Sequence, residues 1–122
     1  MRKDDRLMMR GYDKQEALEY ILRRIRAKDH PELAEQLPEL ISQTIDADMA
    51  YMHEHHVIDE DGNAGTEYYE DDEAFEYMVE KLAEENQLDP VKAVKLASLV
   101  DDYMDYQQEY LESKGLVDWD DN

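Results

Sequence analysis

The chain has no cysteine, a single tryptophan, a single phenylalanine, three prolines and four glycines in 122 residues. The missing cysteine excludes a disulfide frame, a thiolate metal site and a cysteine nucleophile, and fits a reducing compartment. So few prolines and glycines exclude a low-complexity linker or repeat of the Gly- or Pro-rich kind. No apolar run reaches the length, about 20 residues, that crosses a bilayer. The N-terminal stretch Met1 to Arg10 is basic but lacks the apolar h-region of a secretory signal. The expectation is a soluble cytoplasmic protein with no membrane partner.

Positive charge is scarce in one part of the chain only. Residues 1–28 carry nine Lys or Arg against five acids, a net of +4. Residues 29–122 carry four lysines (Lys81, Lys92, Lys95 and Lys114) against 28 acids, a net of −24, and the two parts make the total of −20. Like charges confined to one domain repel, and salt, a cation or a basic partner relieves them. With 42% apolar and 9% aromatic residues, the chain still has the material of a single packed core.

Periodicity predicts an all-α, compact four-helix arrangement with short connections. The expected division is a basic, mobile N-terminal arm over residues 1–12, a single helical domain over 13–115 and an acidic tail over 116–122. The first helix opens on Asp13, with Glu16 in capping-box position, and carries Leu18, Ile21, Leu22 and Ile25 at helical spacing. The second starts near Pro31, carries Leu33, Leu37, Leu40, Ile41, Ile45, Met49 and Met52, and ends near Val57. Pro38 falls inside that stripe, so a kink or a short leading helix is expected there. The third runs from about Asp72 to Glu85, and the fourth from Asp89-Pro90 to Lys114, with Gly115 as its stop.

The link between the second and third helices resembles the calcium loop of an EF-hand. Over residues 59–70 it sets Asp59, Asp61, Asn63, Glu67 and Glu70 at loop positions 1, 3, 5, 9 and 12. Position 6, which takes glycine in that family, is Ala64, and no second such loop follows. The resemblance implies Ca²⁺ as ligand, while Asp-Gly-Asn and Ala-Gly alone describe an exposed acidic turn. A second candidate is His53 and His56, one turn apart, with Asp48 or Asp59 completing a transition-metal set. Three imidazoles near a helix C-terminus also suit the helix dipole without any metal.

Two tyrosine-bearing acidic patches are the candidate partner surface. One is Tyr68, Tyr69, Asp71 and Asp72. The other follows the fourth helix through Asp101, Asp102, Tyr103, Asp105, Tyr106 and Glu109. Acids one turn apart repel each other within the helix, and tyrosine beside carboxylate suits an arginine-rich partner. The competing reading packs the tyrosines inside and leaves the acids as a solvated back face.

Three function classes follow. The first is a small interaction protein that binds a basic protein, in its sharpest form an inhibitor whose carboxylates imitate nucleic-acid phosphates. The second is a divalent-cation module built on residues 59–70. The third is a metal-dependent, all-α nucleotide pyrophosphatase-like enzyme in which Glu32, Glu35 and Glu39 face Asp101, Asp102 and Asp105. No nucleophile–base order or phosphate-cradling glycine loop is present, and no catalytic residue is assigned. Direct nucleic-acid binding is not expected of so acidic a surface. The basic arm, with Arg2, Lys3, Arg6 and Arg10, would contact an acidic surface in its own chain or in a second copy, which permits a homodimer.

Overall fold

The computed structural model describes residues 9–116. Four α-helices follow one another: α1 (Lys14–Arg24), α2 (Leu37–Glu54), α3 (Asp71–Glu85) and α4 (Pro90–Ser113). Two short 3₁₀ turns, Ala27–Asp29 and Pro31–Gln36, join α1 to α2. Each helix packs on its sequence neighbours, and α4 closes the ring on α1. The α1–α4 pair is antiparallel: Glu16 meets Lys114 at 2.9 Å, whereas Arg24, two turns further along α1, meets Glu109.

The caps explain where the helices begin and end. Asp13 accepts from the Glu16 N–H at 3.1 Å and starts α1. The expected capping box is half built, because the Glu16 carboxylate turns to the Tyr110 hydroxyl at 2.8 Å and to Lys114 instead. The interruption expected at Pro38 takes the form of a junction. Residues 31–36 wind as a 3₁₀ helix, and the α-helix starts at Leu37 with Pro38 in its first turn, where no intrahelical N–H is needed. Asp89 caps α4 by accepting from the Lys92 N–H at 2.8 Å.

Three helices end in the same left-handed device. At the end of α4, Gly115 has φ +70°, with Gly115 N–H donating to Glu112 and Leu116 N–H to Leu111. Gln87 ends α3 at φ +54°, and Leu88 N–H returns to Ala83. His56 ends α2 at φ +63°, and Val57 N–H returns to Met52. The second helix therefore stops at Glu54, about one turn before the predicted Val57, because His56 leaves the helical region.

The apolar stripe expected on the second helix is the core: Leu33, Leu37, Leu40, Ile41, Ile45, Met49 and Met52 are all buried. Ile21, Met78, Leu82, Leu96, Leu99 and Val100 meet it from the other helices. Each fully buried side chain of this size contributes about 1.5–3 kcal/mol by its removal from water. Packing also reaches back beyond α1: Tyr12 is in the core, Met9 lies against it, and the Arg10 N–H donates to Gly62 at 2.8 Å. Among the described residues no helix is long and apolar enough to cross a membrane.

Candidate functional site

A carboxylate sits on the apolar stripe of α2. Asp48 lies in register with Ile41, Ile45 and Met52, so the helix that buries them buries it, and only 2% of its surface remains exposed. Its two oxygens accept from the hydroxyls of Tyr69 and Tyr103, both at 2.7 Å. The Gln107 amide donates to the Tyr103 hydroxyl at 2.8 Å, and its carbonyl accepts from Tyr12 at 2.9 Å. Four elements thus meet on one polar chain: the N-terminal segment, α2, the loop before α3, and α4. Both donors to Asp48 are neutral hydroxyls. Burial pushes the carboxyl up to about 6, with the tyrosine hydrogen bonds holding it below a still higher value and Asp71 adding repulsion. Burial also raises the Tyr12, Tyr69 and Tyr103 hydroxyls, and the negative charge of Asp48 adds to each.

Asp48 and its partners border a cleft of about 390 Å³. Its apolar wall comes from Met9, Met52, Val57, Phe75, Met104 and Leu111. On the rim stand Asp71 and Asp72 from the first turn of α3, facing Asp101 and Asp105 from α4. The dipole of α3 accounts for the acids in its first turn. No such explanation covers Asp101 and Asp105 in the middle of α4. The Asp105 carboxyl is raised, first by desolvation and then by Asp101, Asp102 and Glu109. Among the described residues no Lys, Arg or His borders the cleft or pairs with these four rim acids.

The two acidic patches read from the sequence converge on this cleft, but their tyrosines do not all face outward. Tyr68 is 89% exposed. Tyr69 is half-buried and points its hydroxyl inward at Asp48, and Tyr106 lies half-buried against the core. Tyr103 is wholly buried, which corrects its expected role as a surface contact: the seven-residue spacing to Leu96 and Tyr110 puts it on the packed stripe of α4. Asp102 is drawn to His30 at 2.7 Å, and Glu109 to Tyr20 and Arg24. Of the α4 ridge, Asp101 and Asp105 are what remains facing the cleft.

Sequence reasoning missed Asp48, Gln107, Tyr12 and Met9 as parts of one site. The signal for two of them was present, since Asp48 and Gln107 each occupy a position that the apolar period of their helix assigns to the interior.

The first part of the 59–70 segment closes a small hairpin, with Ile58 bridged to Ala64 and the Asp59 carboxylate accepting from the N–H groups of Asp61 and Asn63, both at 2.9 Å, and residues 66–70 continue as irregular chain. Gly65 is required here, because a Cβ would stand 2.2 Å from the His56 carbonyl oxygen. Asp61, Asn63, Glu67 and Glu70 are exposed. Glu32 pairs with Lys95 rather than facing the α4 acids, and His56 leaves the helix that would have set it beside His53. Among the described residues no three His, Asp or Glu side chains converge as a metal-holding group. Compared with protein-family models, curated proteins and solved structures, the chain gives no match.

Proposed function

We propose that this protein docks a basic protein partner against the acidic face formed by the first turn of α3 and the middle of α4. The observation that carries the reading is the set of four rim carboxylates, Asp71, Asp72, Asp101 and Asp105, none of which meets a cation among the described residues. Several acids elsewhere do have partners. Lys14, Lys95 and Lys114 reach Asp46, Glu32 and Glu16, and tyrosine hydroxyls serve Asp48, Glu54 and Glu73. Four like charges gathered at one cleft, with no cation beside them among the described residues, raise the energy of the isolated molecule and attract opposite charge from a distance. Exposed Tyr68 stands on the loop leading into the same helix and extends the surface with an amphipathic ring.

Affinity capture at low salt, elution with rising salt and mass spectrometry test the reading. The expected result is a discrete set of basic proteins that elute as salt screens the rim and are absent from eluates of the D101N/D105N variant. Equal capture by wild type and variant would refute it. Inclusion of double-stranded DNA as competitor tests the sharper form, since a partner held at its nucleic-acid site is displaced by DNA.

A further inference from the structure

We infer that the cleft beside Asp48 is a socket for one lysine or arginine side chain of the basic partner, its methylene stem against the methionine wall and its cationic head among the carboxylates. The inference rests on the docking reading above and adds the point of insertion. Three observations converge on this occupant. The wall is apolar and adaptable: Met9, Met52 and Met104 are unbranched and polarizable, and Phe75 offers a ring. The deepest polar group is a buried carboxylate whose two hydrogen-bond donors, Tyr69 and Tyr103, bring no positive charge. The mouth carries four more carboxylates.

A neutral apolar ligand would strip water from the rim acids and leave Asp48 without an opposing charge. An anion would be repelled by all five. A bare divalent ion would find no ligands in the methionine and phenylalanine wall. A long amphipathic side chain with a charged tip satisfies the wall and the carboxylates together. The volume, 390 Å³, exceeds that of one such side chain and leaves room for the neighbouring backbone of the partner.

Carbon-13 methyl labels on the seven methionines give a direct readout in the full chain. The probes are n-butylammonium and n-butylguanidinium chloride as side-chain mimics, with n-pentanol as the neutral isostere. Both cations are expected to shift Met9, Met52 and Met104 saturably, to leave the core residues Met49 and Met78 still, and to bind at least about fivefold more tightly than pentanol. D48N is expected to weaken the cations by about fivefold or more. D101N/D105N, on the exposed rim, weakens them with the circular dichroism of the wild type and serves if D48N loses its fold.

Equal shifts with pentanol, or binding unchanged in both variants, would overturn the inference. So would a several-fold tightening of the probes by R2Q/K3Q/R6Q, which would assign the cleft to this chain's own basic arm. Silent methyls with salt-sensitive capture of basic proteins intact would refute the socket and leave the docking reading standing. Saturable cation binding without such capture would refute the docking reading and assign the cleft to a small-molecule cation.

Discussion

At the scale of single residues, the chain uses tyrosine where a less acidic protein would use lysine. Six of its nine tyrosines donate a hydroxyl to a carboxylate: Tyr20, Tyr51, Tyr69, Tyr77, Tyr103 and Tyr110. Burial and the neighbouring acids push Tyr51, Tyr77 and Tyr110 up to about 12, so these donors keep their protons throughout the neutral range. Asp48 is a buried carboxyl whose titration the fold feels on the acid side of neutrality. Its carboxyl rises from the ordinary 3.8 to about 6, which corresponds to about 3 kcal/mol at 1.36 kcal/mol per pH unit. The folded state binds this proton more tightly than the unfolded chain. Stability from Asp48 therefore grows as pH falls from about 6 towards 3.8, and is absent above that window. Urea unfolding across the range should show wild type gaining up to about 3 kcal/mol relative to D48N between about pH 7.5 and pH 4. A constant difference between the two would contradict the burial of a charged Asp48. Tyr103→Phe removes a donor from Asp48 and an acceptor from Gln107, and is expected to cost about 3 kcal/mol at neutral pH.

At the scale of elements, two helices end on residues that prefer not to be there. His56 and Gln87 hold left-handed φ values that cost an L residue about 1–2 kcal/mol and glycine nothing. Gln87→Gly should raise stability by about 1 kcal/mol, whereas Gly65→Ala should lower it and disturb the 57–65 hairpin, because a methyl there meets backbone rather than a movable side chain. Thermal unfolding of the two variants checks both signs. These ends also mark where the sequence could be read and where it could not. The four helices, their order and the α2 core stripe follow from the spacing of apolar residues and from Asp13 and Asp89 as starts; Pro31, expected to open the second helix, opens the 3₁₀ segment ahead of it, and α2 begins at Leu37. The end of α2 was misplaced because nothing local announces a histidine in the left-handed region. The inward turn of Tyr69 was equally hidden: its partner Asp48 is 21 residues away, and only the tertiary fold joins them.

At the scale of the whole molecule, the charge partition gathers four acids, Asp71, Asp72, Asp101 and Asp105, at one cleft. Along α1, Arg24 lies 3.6 Å over the Tyr20 ring and Lys14 pairs with Asp46, so these two basic residues of the N-terminal part are used within the domain. The acids of the cleft rim have no such partner among the described residues. Screening should relieve them: the thermal midpoint is expected to rise as NaCl goes from roughly 20 mM to roughly 300 mM, and D101N/D105N should flatten that rise. A midpoint indifferent to salt would mean that the acids are too well solvated to strain the fold. The sequence located both acidic patches but not their convergence, which depends on α3 and α4 packing with the loop before α3 folded over Asp48.

The most direct test of the central claim compares two variants of equal net charge. One neutralises Asp71, Asp72, Asp101 and Asp105 as asparagine; the other neutralises Glu35, Glu39, Glu80 and Glu84, which lie outside the cleft, as glutamine. Titration of the captured basic partner at a fixed, moderate salt concentration should show the first variant losing at least about tenfold in affinity and the second losing about twofold or less. Equal losses in the two variants would show that only the overall charge attracts the partner, and would contradict a docking site at the cleft.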